Sequence, residues 1–138
     1  MHAMIVVRSD AGYTETARSL VAAIERRGLT IFARIDHAAG AREVGLELAD
    51  EQVVLFGSPR SGTPLMQDDP RIGIELPLRM LVWRDGEQVL LGHNDPRELA
   101  RSYDVSAHAQ TLEQMTALLD ALATEAASAP SSAERAPG

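Results

Sequence analysis

Two groups of side chains in this 138-residue sequence could do chemistry. The first is the run Gly57-Ser58-Pro59-Arg60-Ser61-Gly62-Thr63, whose glycine spacing after an apolar strand suits a loop that cradles a phosphate with backbone N–H groups. The pattern then fails, because Arg60 lies inside the run, no lysine follows the second glycine, and Pro64 stands where a helix should begin. The alternative is a sharp structural turn. Ser58 does not sit in the Gly-x-Ser-x-Gly elbow of a nucleophilic serine. The second group is acidic and imidazole-bearing: Asp36-His37 at a strand end, Glu75 before Leu76-Pro77, and His93-Asn94-Asp95 after the last strand. If these strand ends converge, His37 or His93 with Glu75 makes an acid/base pair or a two-histidine one-carboxylate metal site. The alternative is that Asp36 and Asp95 cap helices and the histidines are partly exposed. The spacings match no known metal motif, so no metal is assigned and the cofactor is left open.

Composition removes several classes of chemistry. The chain has no cysteine, which excludes disulfides, thiolate nucleophiles, iron–sulfur clusters and cysteine-ligated zinc. All thirteen basic residues are arginines, so no lysine can form a Schiff base or reach a nucleotide phosphate. A net charge of −7 repels polyanions, and no nucleic acid partner is expected. No apolar run approaches the roughly 20 residues needed to span a bilayer, so no membrane partner is expected. Met1 to Arg8 reads as a strand with no basic leader ahead of a hydrophobic segment, and cytoplasmic residence follows by default.

The elements that must position these groups follow from periodicity. Met4 to Arg8 is a β-branched run ending in turn formers, and Thr14 to Arg27 carries Ala17, Leu20, Val21 and Ile24 at helical spacing, with Thr14 as cap and Gly28 as stop. Thr30 to Asp36 alternates, with Ile31, Ala33 and Ile35 on one face against Phe32 and Arg34 on the other. A short helix is expected within Ala38 to Leu48, and a buried strand over Val53 to Phe56. Arg60 to Ile74, rich in proline and glycine, reads as a long functional or mobile loop. Leu78 to Arg84 and Gln88 to Gly92 flank Asp85-Gly86-Glu87 as a hairpin. Pro96 to Tyr103 forms a short helix capped by Asp95, and Thr111 to Gln114 has the form of a capping box. The helix it opens carries Leu112, Met115, Leu119 and Leu122 on one stripe. Met66 and Met80 are expected to fill core gaps, and Trp83 to face solvent, a ligand or a second subunit. The fold class is α+β, one domain over residues 1–127, followed by a disordered Ala/Ser/Pro tail over 128–138.

Several ordered segments resemble the domain of unknown function 302 family: Ile35 to Ala41, Leu55 to Pro59, Gly62 to Met66, and Glu75 to Trp83, then Asn94-Asp95-Pro96 with Leu99 and Tyr103. The resemblance runs from about Met4 to Ala123. It implies a TATA-binding-protein-like β-α-β(4)-α fold, a curved, largely antiparallel five-stranded sheet backed by helices, often as a homodimer. It brings no secure activity and no DNA binding. Ser58 stands where members often have asparagine and Glu75 where many have aspartate, which alters the reach of that polar pair.

The reading that best joins these features is a homodimeric small-molecule-binding or regulatory domain. Its site would be the segment Gly57 to Pro77 with neighbouring strand ends, presenting Asp36, His37, Ser58, Arg60, Glu75 and His93. Two readings from other classes stay open. One is an enzyme using Glu75 or His37 as general base, with or without a divalent metal; the other is a scaffold whose exposed sheet face binds another protein.

Overall fold

The computed structural model describes residues 4–128, so all but Ser128 of the expected disordered tail lies outside the described residues. Five strands, β1 (Ile5–Ser9), β2 (Thr30–Asp36), β3 (Glu51–Gly57), β4 (Leu78–Asp85) and β5 (Gln88–His93), form one sheet in the order β1-β5-β4-β3-β2. Every neighbouring pair is antiparallel. The helices are α1 (Tyr13–Arg26), α2 (His37–Glu43), α3 (Pro59–Asp68) and α4 (Ala109–Ala127), with 3₁₀ turns at Pro70–Ile74, Pro96–Arg101 and Ser106–His108. Gly86, with φ of +62°, makes the tight β4–β5 turn that an L side chain would strain.

Helices α1 and α4 cover one sheet face. From α1, Leu20, Ala23 and Ile24 meet Val54, Phe56, Met80, Val82 and Leu91 of the sheet, and α4 adds Leu119, Leu122 and Ala123. The expected α4 stripe of Leu112, Met115, Leu119 and Leu122 is buried throughout. A second cluster joins Leu65, Ile72, Val105, Leu112 and Met115 beneath α3 and the first two 3₁₀ turns. Polar ties fix the covering helices at their ends: the Asp10 N–H donates to the Ala127 carbonyl at 2.9 Å, and Ser9 Oγ lies 2.6 Å from Thr16 Oγ1. Arg26 and Arg27 of α1 both pair with Glu125 of α4.

Four sequence expectations need correction. Arg60 to Ile74 is not a loop: Ser58 caps α3 by accepting from the Arg60 N–H at 3.2 Å, and Asp69 caps the following 3₁₀ turn. Pro59 sits at the first position of α3, where its missing N–H costs nothing, so the prolines and glycines mislead. Helix α1 begins at Tyr13 with Gly12 as an N-cap that makes no side-chain bond, so Thr14 is not the cap. The Thr111 capping box is unused, because α4 continues directly out of the Ser106–His108 turn and Thr111 already lies inside it. Finally, the alternation in β2 is broken by a bulge between Ile31 and Ala33. Ile31 pairs with buried Phe56, but Ala33 and Ile35 pair with Leu55 and Val53 on the opposite face.

Among the described residues no helix lies on that opposite face. One row across all five strands reads Val6, Gly92, Leu81, Val53 and Ile35, and the row beside it reads Arg8, Leu90, Trp83 and Glu51. Val6 is 47% and Ile35 44% exposed, an apolar sheet surface open to solvent. Trp83 is half-buried there against Met4, both packing over Gly92, where an added Cβ would lie 2.7 Å from the Met4 sulfur and 3.0 Å from the Trp83 ring.

Candidate functional site

The strand register decides which of the sequence-marked residues can meet. Asp36 pairs with Gln52 at the start of β3, whereas Ser58 follows Gly57 at its other end. At about 3.3 Å per residue these ends lie roughly 20 Å apart. Asp36 caps α2 by accepting from the Ala39 N–H at 2.9 Å, and His37 is the exposed first residue of that helix. The expected convergence of Asp36 and His37 with Glu75 therefore does not occur, because antiparallel pairing sends the end of β2 away from the end of β3. Among the described residues no group of three or more His, Asp or Glu side chains is placed to hold a metal.

The other four residues lie toward the Ser58 end of the sheet without forming one site. Arg60 is exposed on the first turn of α3. Glu75 accepts a hydrogen bond from the Tyr103 hydroxyl at 2.8 Å, and that carboxylate, with some burial, raises the Tyr103 phenol above its ordinary range. His93 is buried on the covered face, its Nδ1 2.9 Å from the Asn94 carbonyl and its Nε2 3.5 Å from Asp120 of α4 with no hydrogen-bond partner. Glu75, Arg79, Asp95 and Glu98 instead line a shallow cavity of about 110 Å³. The Gly57–Thr63 run cradles no anion. Pro59 has no N–H, and those of Arg60, Ser61 and Gly62 all bond to Ser58 itself.

A larger cavity, of about 290 Å³, opens beside that run. Its floor is the seam between the two hydrophobic clusters, with Leu76 and Met66 belonging to one, Leu29 and Leu118 to the other, and Leu78 to both. Helix α4 contributes Met115 and Leu118, and Gly57, Gly62 and Gly73 widen the space. A Cβ at Gly73 would stand 3.4 Å from the Met66 sulfur, and one at Gly62 3.5 Å from Leu76, so each glycine side chain omitted is space kept open. Ser58, Ser61 and Thr63 add hydroxyls, and no lining residue is ionisable. Phe32, 54% exposed, reaches this cavity from the β2 bulge. Of the residues singled out from the sequence, Ser58 lines this cavity and Asp36, His37, Arg60, Glu75 and His93 do not. Sequence reasoning passed over Leu29, Phe32, Met115 and Leu118, whose only advance sign was a bulky aromatic on the polar phase of β2.

An ionic latch holds the α3 side of the cavity. The Asp69 carboxylate, 5% exposed, receives the Arg71 Nε and Nη2 groups at 3.0 and 2.8 Å, the Arg71 N–H at 3.1 Å and the Asp104 N–H at 2.9 Å. The Arg71 guanidinium lies over the Tyr103 ring, 5.9 Å from its centroid. Arg71 first, then the Asp104 N–H, hold the Asp69 carboxyl far below the usual carboxylate range. Asp95, bonded to Arg97 and to Thr116 of α4, is held down at about 2.

The family described as Domain of unknown function DUF302 matches residues 5–122. The crystal structure of an uncharacterized conserved DUF302 protein from Bacillus stearothermophilus superposes with a TM-score of 0.80 at 16% identity, covering 89% of this chain and 97% of that one. The chain is 41% identical over 103 residues to the fluoride-specific ion channel FluC 1 of Brucella suis biovar 1 (strain 1330), covering 74% of this chain and 41% of that protein. The fluoride-specific ion channel FluC 1 of Brucella abortus biovar 1 (strain 9-941) matches at the same identity, covering 38% of its own length. The chain thus spans about two fifths of the curated relatives it matches.

The latch generates a prediction with a definite sign. A carboxyl depressed in the folded state contributes stability above its unfolded value of 3.8, and this is lost as pH falls toward the folded value. Asp69→Asn is expected to unfold at lower urea concentration than wild type at neutral pH. The gap between the two should narrow on acidification from about pH 4. A gap independent of pH would show that the Asp69 charge has no part in the latch.

Proposed function

The chain belongs to the domain of unknown function 302 family, and from that premise we propose that it is a small-molecule-binding domain whose site is the cavity beneath α3. The observation that carries this reading is an open, preformed apolar space of about 290 Å³ at the ends of β3 and β4, with a few hydroxyls. A domain that gained only stability from this region would cover it, since apolar surface left in water forgoes about 25 cal/mol per Å². Three lining glycines leave it unfilled, and the two flexible methionines beside them can adapt to a guest. In the Brucella proteins named as fluoride-specific ion channels, the matching segment is about two fifths of the length. No helix among the described residues is long and apolar enough to cross a membrane. We therefore read the channel function in that name as belonging to the remaining length, and the shared segment as a ligand-responsive regulatory module facing the cytoplasm.

Thermal unfolding across a library of neutral, anionic and cationic small molecules tests the site. Some compounds should stabilise the wild type, and Leu118→Trp, which fills the cavity from α4, should weaken them about tenfold or more. Compounds that stabilise both proteins equally, or a library without stabilising members, would contradict the reading.

A second reading concerns assembly. The open sheet face supports a homodimer, because its central row is apolar from Val6 to Ile35 while the adjacent row has Arg8 on β1 and Glu51 on β3, toward opposite edges. A second copy facing it about a twofold axis along the strands reverses the strand order, bringing the basic edge over the partner's acidic one. Light scattering should give the mass of two chains, and Leu81→Arg, which puts a charge into the central row, should give one. A wild-type monomer would contradict the dimer and favour a different protein as the occupant of that face.

A further inference from the structure

We propose that the cavity beneath α3 takes a compact, electrically neutral and mostly apolar molecule, a substituted ring or branched hydrocarbon with at most one hydroxyl or carbonyl. This rests on reading that cavity as the binding site, and adds the class of ligand.

Charge decides first. Among the described residues, those that line the cavity include no Asp, Glu, His or Arg, so an ion held there would lose hydration with no countercharge in contact to replace it. Backbone donors do not compensate for an anion. The N–H groups of Arg60, Ser61 and Gly62 at the start of α3 are already bonded to Ser58, and Pro59 has none. Three carboxylates of this end of the sheet are committed elsewhere, Asp69 to Arg71, Glu75 to Tyr103, and Asp95 to Arg97, and Arg60, exposed on the first turn of α3, is not among the lining residues. Glu75 and Asp95 line the separate cavity of about 110 Å³.

Polarity and shape then narrow the class. Ser58, Ser61 and Thr63 are the side-chain polar groups at the cavity. Each hydroxyl can donate and accept, so together they suit one hydroxyl or carbonyl on the ligand and cannot neutralise an ion. The rest is the Phe32 ring, the thioethers of Met66 and Met115, leucine, two prolines and three glycines. Soft sulfur and an aromatic face favour a ring over a thin extended chain. At about 290 Å³ the space lies at the lower limit for ligand pockets, which fits a compact molecule.

Three probes share one ring and differ only in their head group: p-cresol, p-toluate and p-methylbenzylammonium. Each is titrated at neutral pH into the full chain, with the methyl NMR signals of Met66 and Met115 as reporters and those of Met4 and Met80, which do not line the cavity, as references. p-Cresol is expected to shift both reporters saturably and leave the references in place, and each ion to require roughly tenfold more or to fail. If either ion saturates the reporters at the same concentration as p-cresol or below, the neutral class is overturned while the cavity stands as the site. If none of the three moves either reporter, the site itself is overturned, and the ligand class with it.

Discussion

The apolar stripe of α4 is the constraint on which the rest of the structure depends. Among the described residues it is the only helix that enters both hydrophobic clusters, with Leu112 and Met115 in one and Leu119, Leu122, Ala123, Ala126 and Ala127 in the other. A 19-residue helix is about 28 Å long at 1.5 Å per residue, enough to join the region beneath α3 to the end of β1. Its C-terminal end is fixed by the Asp10 and Ser9 contacts, and its first turns by His108 Nε2, 2.8 Å from Asp68 Oδ2. With both ends set, the two clusters cannot merge, and the gap between them at Met115 and Leu118 is the cavity. The same helix therefore holds the fold together and leaves the space in which a ligand would sit.

How much of this was legible in the sequence differs by region, for physical reasons. The hairpin, helix α1 and the α4 stripe were readable because one face of each is buried, and burial imposes a strict period on residue type. The five strands and the α+β class followed from that, and the Bacillus stearothermophilus structure has the same fold. The segment after β3 was misread because Pro59, Gly62 and Pro64 look like loop formers, while the cap by Ser58 and burial of Leu65 make a helix there. The β2 bulge was invisible, since an extra residue changes facing without changing composition.

The candidate site shows the same division. Position along the chain is legible to this extent: the segment from Gly57 to Pro77 forms one wall of the cavity. Residue chemistry was a poor one. Charged side chains attract notice in a sequence, yet here Asp36, Asp69 and Asp95 cap turns and helices, and Glu75 anchors Tyr103. His93 is buried under α4 and His37 stands at the far end of the sheet. The lining side chains are leucines, methionines and a phenylalanine, the types that sequence reasoning assigns to core by default. Only the strand register and the seam between the two clusters distinguish them from ordinary packing.

Among the described residues two apolar surfaces stay uncovered, the seam cavity, proposed to take a small molecule, and the sheet face without a helix, proposed to take a second copy. The most direct test of the central claim is a crystal of the full chain pressurised with xenon, which enters apolar cavities that stay dry and can yield to a guest. A xenon atom is expected between Met66 and Met115. Ordered water filling that space with no xenon, or side chains collapsed into it, would contradict the claim that α4 and α3 hold open an apolar site.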